Sequence, residues 1–322
     1  MILEKVKKEL ERFKKRVFYS GPKYKQLEEI QYKLDNQPYE LYDEANPGST
    51  DIQIPQIKSI EETLDKIIND KCSISRFGDG EFSCMNCGRM SFHDSSEDLS
   101  IRLKEVLSSD IPNLLIGLPD CFGSLDCYVP YTQKFWRKWM SKKRQMAYSY
   151  LDMNRVYYNA FFNRYYLNFN KTDEYYQVCC GYAKRLKEIW KNRDVVLLEG
   201  REARIGVGND LFDGAKSISR ILFCPTRNAF NKYAQILSAF DGVNSDALIL
   251  ISLGPTATVL AYDLCKRGYQ AIDFGHISEE YECFLRRETP MEQISMGRDC
   301  SMKHPSNPDD PEYKNQIIKV IT

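Results

Sequence analysis

The sequence predicts an α/β protein with a Rossmann-like, mostly parallel sheet and helices on both faces. From about residue 55, short apolar runs alternate with helix-like stretches. Such runs are typical of parallel strands, which are buried on both faces. Most of the runs end in a Gly or Pro turn before the next helix, as expected of βαβ units. A chain of 322 residues, of which 43% are hydrophobic, can bury one large core.

The individual elements follow in chain order. Residues 60–68 have helical spacing of apolar side chains, and residues 72–76 form the first predicted strand. A second helix is predicted over 182–190. The remaining strands are predicted at 114–118, 195–198, 221–224, 248–253 and 271–273.

Two terminal regions flank the predicted domain, which spans residues 55–287. Residues 1–54 are predicted as a helical arm and linker, and residues 288–322 as a polar, Pro-rich tail that is loose or wrapped on the surface. The arm has one apolar and one basic face, so it could pack on the domain, form a homo-oligomer contact or lie on anionic lipid. We expect a cytoplasmic protein. If the arm binds lipid, the alternative is peripheral attachment to the inner face of the membrane.

The bulk composition favours neither a nucleic-acid-binding protein nor a disulfide-bonded secreted protein. Lys+Arg and Asp+Glu both number 45, so no overall charge favours nucleic acid. The 11 cysteines, in a chain whose start does not resemble a signal peptide, are typical of reduced cytosolic thiols. Cys84 and Cys87 have zinc-like spacing, but no second pair of ligands follows them.

The first candidate segment follows the first strand and reads Arg76-Phe77-Gly78-Asp79-Gly80-Glu81. In extended backbone, Asp79 and Glu81 would point to the same side and could bind Mg²⁺ or Mn²⁺ with diphosphate oxygens. The alternative is a turn in which Asp79 caps the next helix and Glu81 lies in its first turn.

Three further segments follow predicted strands. Gly254, Pro255, Thr256 and Thr258 surround a helix start that could bind a diphosphate, or could simply begin a core helix. Glu199 and Arg204 lie in a glycine-rich loop, where the arginine could bind phosphate and the glutamate could bind ribose or orient the arginine; alternatively, the segment is a solvated loop. His276 follows the last strand beside several carboxylates and could be a metal ligand, a proton carrier, a diphosphate contact or a structural residue.

At these residues the sequence resembles the GT-D-fold glycosyltransferases. The resemblance covers roughly residues 60–285 and rests on long runs in the same order: RFGDGE (76–81), GLPD (117–120), DVVLLEG (194–200), RIGVGNDLFDGAKSISRILFCPTRNAF (204–230) and LGPTATVLAYDLCKRGYQAIDFGHISEEYE (253–282).

The resemblance implies a nucleotide-sugar donor such as UDP-glucose, a divalent metal and a glycan, glycoprotein or glycolipid acceptor. The family's Asp-X-Glu metal motif falls on Asp79 and Glu81, while Arg76 and Gly78 join the donor site. Two departures lie on the expected acceptor side: Arg164-Tyr165-Tyr166, where the family tends to have Arg-Pro-Tyr, and Ser278, where it tends to have Asp.

The resulting hypothesis is metal-dependent transfer of a hexose from a nucleoside diphosphate. Glu280 is the predicted base for the acceptor hydroxyl, with His276 or Glu282 as alternates. A nucleotidyl- or phosphotransferase that uses the same metal–diphosphate site, or a non-catalytic nucleotide-sugar-binding module, would share these features.

Overall fold

The computed structural model describes residues 53–88, 93–225, 227–288 and 310–322. These residues contain nine strands: β1 (Gln56–Ile57), β2 (Ser73–Arg76), β3 (Leu114–Leu118), β4 (Val156–Asn159), β5 (Asp194–Gly200), β6 (Ser217–Phe223), β7 (Leu248–Ser252), β8 (Gln270–Asp273) and β9 (Ile317–Ile321). They form one sheet in the order β1-β4-β3-β2-β8-β7-β5-β6-β9, and all eight strand pairings are parallel. The predicted parallel, Rossmann-like sheet is confirmed.

The described helices are α1 (Ile60–Asn69), α2 (Asp79–Met85), α3 (Glu97–Ser108), α4 (Pro130–Tyr148), α5 (Asp173–Glu188), α6 (Tyr233–Ser238), α7 (Pro255–Lys266), α8 (Ile277–Arg286) and α9 (Pro311–Gln316). The helix predicted over 182–190 begins earlier, because the Thr172 side chain accepts a hydrogen bond from the Tyr175 N–H and caps α5. In these ranges no helix combines the length and the apolar composition needed to cross a bilayer.

The core lies on both faces of the sheet. In β5, Val195 and Leu197 belong to one apolar cluster, while Val196 and Leu198 belong to a second. Successive side chains of a strand point to opposite faces, so both faces of this strand are buried. The second cluster contains residues of α6 and α7, and the first contains residues of α1 and α5. The prediction of helices on both faces is confirmed.

The C-terminal segment differs from its prediction. Residues 310–322 are not loose: α9 is followed by β9, which pairs in parallel with β6 at the edge of the sheet. Tyr313 of α9 is buried. A run of Ile and Val residues, which favour strands, supplies β9. The predicted N-terminal helix, most of its linker and the rest of the tail lie outside the described residues.

The order of the strands decides where a ligand can bind. From β2 the chain adds β3 and then β4 on one side of the sheet. It then crosses to the other side, where it forms β5, and β7 and β8 later lie between β5 and β2. Ligands of open parallel sheets bind at the carboxyl ends of the strands, near such a change of direction. The loops after β2, β8, β7 and β5 therefore meet at one edge.

Candidate active site

A cavity of about 830 Å³ opens at this edge of the sheet. Its walls come from the segments after β2, β5, β6, β7 and β8, from the loop after β4 and from the first turns of α4. The volume is within the range of small-molecule and cofactor sites.

An ion pair ties the two central strands together below the cavity. The Arg76 guanidinium donates from Nε to the Asp273 carbonyl (2.8 Å) and from Nη2 to Asp273 Oδ1 (3.0 Å). Its Nη1 donates to the Ala160 carbonyl (3.2 Å) and to Asn163 Oδ1 (3.1 Å). A Cβ at Gly275 would lie 2.0 Å from Nη2, so only glycine fits there. Arg76 lines the cavity as predicted, but its donors are used within the protein.

The metal-motif carboxylates lie at the start of α2, and the predicted extended backbone is wrong. Gly78 is the N-cap residue, Asp79 is the first residue of the helix, and Glu81 Oε2 accepts a hydrogen bond from the Gly78 N–H (2.8 Å). The alternative prediction is therefore correct for Glu81, while Asp79 does not cap the helix. Gly78, Asp79 and Glu81 all line the cavity.

Negative charge is concentrated around Glu81. Burial raises its pKa to about 7, and the neighbouring charges of Asp273 and Asp79 act in the same direction. Burial also raises the pKa of Asp79, whereas the positive charge of Arg164 lowers it. Within the described residues, no three His, Cys, Asp or Glu side chains form a metal site by themselves. A cation here would need oxygens from a ligand, as Mg²⁺ commonly does.

The start of α7 forms the next part of the wall. Gly254, with φ of 54°, and Pro255 line the cavity. Both threonines that follow are buried and do not line it. Thr256 Oγ1 lies 3.2 Å from His93 Nε2, and Thr258 Oγ1 donates to a backbone carbonyl at the end of β2 (3.0 Å). The predicted ligand contacts of the threonine hydroxyls are therefore wrong; these groups fix the start of the helix.

Glu199 and Arg204 do not face the cavity. Glu199 is fully buried and accepts hydrogen bonds from Arg220 Nη1 (2.6 Å) and from the Ile205 N–H (2.7 Å). The Arg204 guanidinium lies over the Tyr313 ring, 5.1 Å from its centroid. The structure thus contradicts the predicted donor-binding roles of both residues, because their side chains hold the C-terminal segment and the β5–β6 loop.

Basic residues other than Arg204 line the cavity. Arg201, from the same loop as Arg204, and Arg227, after β6, both line it and are exposed. Arg164 lines the opposite side, and its charge influences Asp79 and His276. These arginines were not among the predicted site residues, although Arg164 lies in the segment expected on the acceptor side and Arg201 in the glycine-rich loop.

The residues after β8 divide between the cavity and the core. His276 is exposed to the cavity, where desolvation by the surrounding walls and the charges of Arg164 and Arg76 lower its pKa to about 4. It is therefore neutral at pH 7. Glu282 also lines the cavity and pairs with Arg286 (2.5 Å).

Glu280, the predicted base, lies in the interior of the protein and not in the cavity. It is 1% exposed, does not line the cavity, and accepts hydrogen bonds on Oε1 from the Tyr166 N–H (2.5 Å) and the Leu167 N–H (2.8 Å). A carboxylate held inside the protein cannot reach an acceptor hydroxyl. The predicted role of Glu280 as the base is therefore wrong, and its role is to fasten the loop after β4 to α8.

Comparison with known proteins identifies the family. Residues 74–298 match the family model described as "Glycosyltransferase GT-D fold". The chain is 36% identical over 271 residues to "Probable glycosyl transferase Gly" of Streptococcus gordonii, covering 81% of this chain and 38% of that protein. It is 37% identical over 232 residues to "Glycosyltransferase GlyD" of Streptococcus pneumoniae serotype 4, covering 72% of this chain and 28% of that protein. The chain thus spans about a third of the length of these relatives.

Solved structures agree with this assignment. One, described as "The highly conserved domain of unknown function 1792 has a distinct glycosyltransferase fold", superimposes with a TM-score of 0.74 at 33% identity and covers 84% of this chain and 97% of that chain. Another, "A New Glycosyltransferase (DUF1792) from Streptococcus sanguinis", has a TM-score of 0.70 at 34% identity, with 83% and 100% covered. This chain belongs to the family of glycosyltransferases with the GT-D fold.

Proposed function

We propose that this chain transfers a hexose from a UDP-sugar, such as UDP-glucose, to the hydroxyl of a glycan, glycoprotein or glycolipid. One observation carries the proposal: paired carboxylates, a helix start and two exposed arginines, Arg201 and Arg227, line one cavity at the switch point of the sheet. This combination suits a diphosphate whose negative charge grows as the bond to the sugar breaks. The names of the two Streptococcus relatives support the same reaction class.

The donor diphosphate binds at the start of α7 in this proposal. Gly254 and Pro255 open on the cavity, and the positive end of the dipole of this 12-residue helix favours an anion. Arg201 and Arg227 lie on the same side and supply positive charge, and Arg227 also pairs with Asp94 (3.4 Å). Together they would stabilise the departing nucleoside diphosphate.

Asp79 and Glu81 are the residues that would hold Mn²⁺ or Mg²⁺. Burial raises the pKa of both carboxylates, and a bound cation would stabilise their charged forms, which fits this role. The metal would neutralise the diphosphate as a Lewis acid. Glu81 stays in position through its hydrogen bond to the N-cap of α2.

His276 is the proposed acceptor of the hydroxyl proton, now that Glu280 is excluded. Its imidazole is neutral at pH 7 and lies in the cavity. A bound diphosphate adds negative charge, which raises the pKa of the imidazole and favours proton transfer to it. Glu282 lies in the same wall but is paired with Arg286.

Calorimetry and product analysis test the proposal together. We expect UDP to bind more tightly with Mn²⁺ than with EDTA, and UDP-glucose to yield UDP when an acceptor is present. Chromatography that finds pyrophosphate or UMP as the product would instead identify a nucleotidyl- or phosphotransferase. Absence of UDP binding, with or without Mn²⁺, would refute the donor assignment.

A further inference from the structure

Two aromatic side chains at the start of α4 are exposed within the cavity. Tyr131 is 62% exposed and Phe135 is 39% exposed, and both line the cavity wall. Every other Phe, Tyr or Trp side chain in the described ranges is less exposed. Their four-residue spacing places them on one face of the helix. Large rings in contact with water inside a ligand cavity indicate a surface that a ligand covers.

A chain of rings holds these two side chains in place relative to the carboxylates. Phe135 packs edge-on against Trp136 (5.1 Å between centroids), and Trp136 packs against Trp139 (5.5 Å). Trp139 then contacts Phe82 (5.7 Å), which belongs to α2, the helix that begins with Asp79. The aromatic surface is therefore built on the same rigid unit as the proposed metal ligands.

Polar groups border the aromatic surface. Thr132 and Asn168 line the cavity next to it, with Thr132 Oγ1 3.5 Å from Asn168 Oδ1. A pyranose ring has an apolar C–H face and a rim of hydroxyls, so it can pack on an aromatic ring while its hydroxyls bind amide and hydroxyl groups. An alkyl chain would gain nothing from these polar neighbours and would leave them without water.

The position of the surface along the sheet indicates which sugar it binds. Arg201 and Arg227 follow β5 and β6, on one side of the cavity, whereas the loop after β4 lies on the other side of β2. In the proposed function the donor phosphates lie near α7 and β5 and the metal that contacts them lies after β2, so we expect the sugar to lie toward β2. The acceptor must then approach from the β4 side, where α4 lies.

We propose that Tyr131 and Phe135 form a platform for a pyranose ring of the acceptor, with Thr132 and Asn168 binding its hydroxyls. The acceptor is therefore a saccharide or a glycoconjugate that already carries a sugar. This inference rests on the proposed function, because it assigns the other half of the same cavity.

A titration without any donor tests the platform independently of catalysis. The chain has three tryptophans, of which Trp136 lines the cavity beside Phe135, while Trp190 is fully buried. We expect tryptophan fluorescence to change saturably with disaccharides that contain glucose, galactose or N-acetylglucosamine. Tyr131→Ala should weaken this binding about tenfold, as expected for loss of a large contact surface.

Matched variants separate a binding role from a general effect. Tyr131→Phe keeps the ring and should retain saccharide binding. Ile101→Ala removes another exposed side chain, on α3 and outside the cavity, and should behave as wild type. In transfer assays, Tyr131→Ala should raise the acceptor KM about tenfold, while UDP affinity is retained.

Three outcomes would overturn the inference. The first is a wild-type protein that responds to none of the disaccharides, and the second is a response to an unglycosylated Ser-containing peptide alone. The third is a Tyr131→Ala variant that loses UDP affinity and keeps its acceptor KM, which would make the surface a nucleoside site. UDP binding by the wild type is measured separately, so failure of the donor assignment is distinguished from failure of the platform.

Discussion

The segments that follow β2 and β5 are alike in sequence, since both place Gly, Glu and Arg at the end of an apolar strand. In the structure they differ. After β2, Asp79 and Glu81 line the cavity. At the end of β5, Glu199 forms a fully buried ion pair with Arg220, and Arg204 packs on Tyr313.

This difference shows that a charged residue at the carboxyl end of a strand does not necessarily line the cavity. Glu199 still belongs to its strand, so the direction of its side chain is set by the pleat and by the arginine on β6. Asp79 and Glu81 come after their strand, in the first turn of a helix that faces the cavity. Four substitution experiments test this contrast.

The largest expected effect concerns Glu81. Glu81→Gln should lower turnover by about 100-fold or more, because the glutamine would hold the metal less well and loss of one group that stabilises the developing charge costs ~2.7–4 kcal/mol. The glutamine can still accept the N-cap hydrogen bond, so the melting temperature should change little. Glu62→Gln is the matched control, because Glu62 occupies the same position of the capping box of α1. Equal turnover in both variants would remove Glu81 from the site.

The buried pair on the β5 side should affect stability instead. Arg220→Met leaves the Glu199 carboxylate buried without its charge partner and should lower the free energy of unfolding by about 3–5 kcal/mol. Arg267→Met breaks an exposed pair with Asp241 and should cost less than about 1 kcal/mol. Urea denaturation of both variants compares the losses. Similar losses would mean that burial does not distinguish the two pairs.

The arginines of the β5–β6 loop provide a finer comparison. Arg201→Ala should weaken UDP binding by roughly 1–3 kcal/mol, the usual contribution of a hydrogen bond to a charged group. Arg204→Ala should leave UDP affinity nearly unchanged, because its guanidinium lies on Tyr313. Calorimetry decides between them. The reverse order of effects would restore Arg204 as the phosphate contact.

The smallest effect is expected at Glu280, where burial raises the pKa of the carboxyl. A carboxyl with a raised folded-state pKa stabilises the protein below the unfolded-state value of about 4.3, and this stabilisation is lost as the pH rises through the folded-state pKa. Glu280→Gln removes the titration and keeps an oxygen for the two backbone N–H groups. The melting temperature of this variant should therefore increase relative to that of the wild type as the pH rises from 4 to 8. A constant difference across that range would contradict the prediction.

The sequence predicted the fold where the pattern was local. The predicted strands over 114–118, 195–198 and 271–273 all fall within observed strands, because an apolar run followed by Gly or Pro specifies a buried strand without reference to the rest of the chain. β4, β9 and α4 were not predicted. β9 depends on pairing with β6 in a polar region of the chain, and α4 carries so many basic and aromatic residues that its apolar face is not obvious.

The parallel sheet could be predicted from the sequence alone, and so could the placement of Gly78, Asp79 and Glu81 directly after its first predicted strand, whereas the helix start at these residues was one of two alternatives. The folded chain decides which charged side chains enter the cavity. Glu199, Arg204 and Glu280 were removed from it by partners far away in the chain, namely Arg220, Tyr313 and the 166–167 backbone. Such partners are not visible in local spacing, because burying a charge requires a counterpart that only the folded chain brings near.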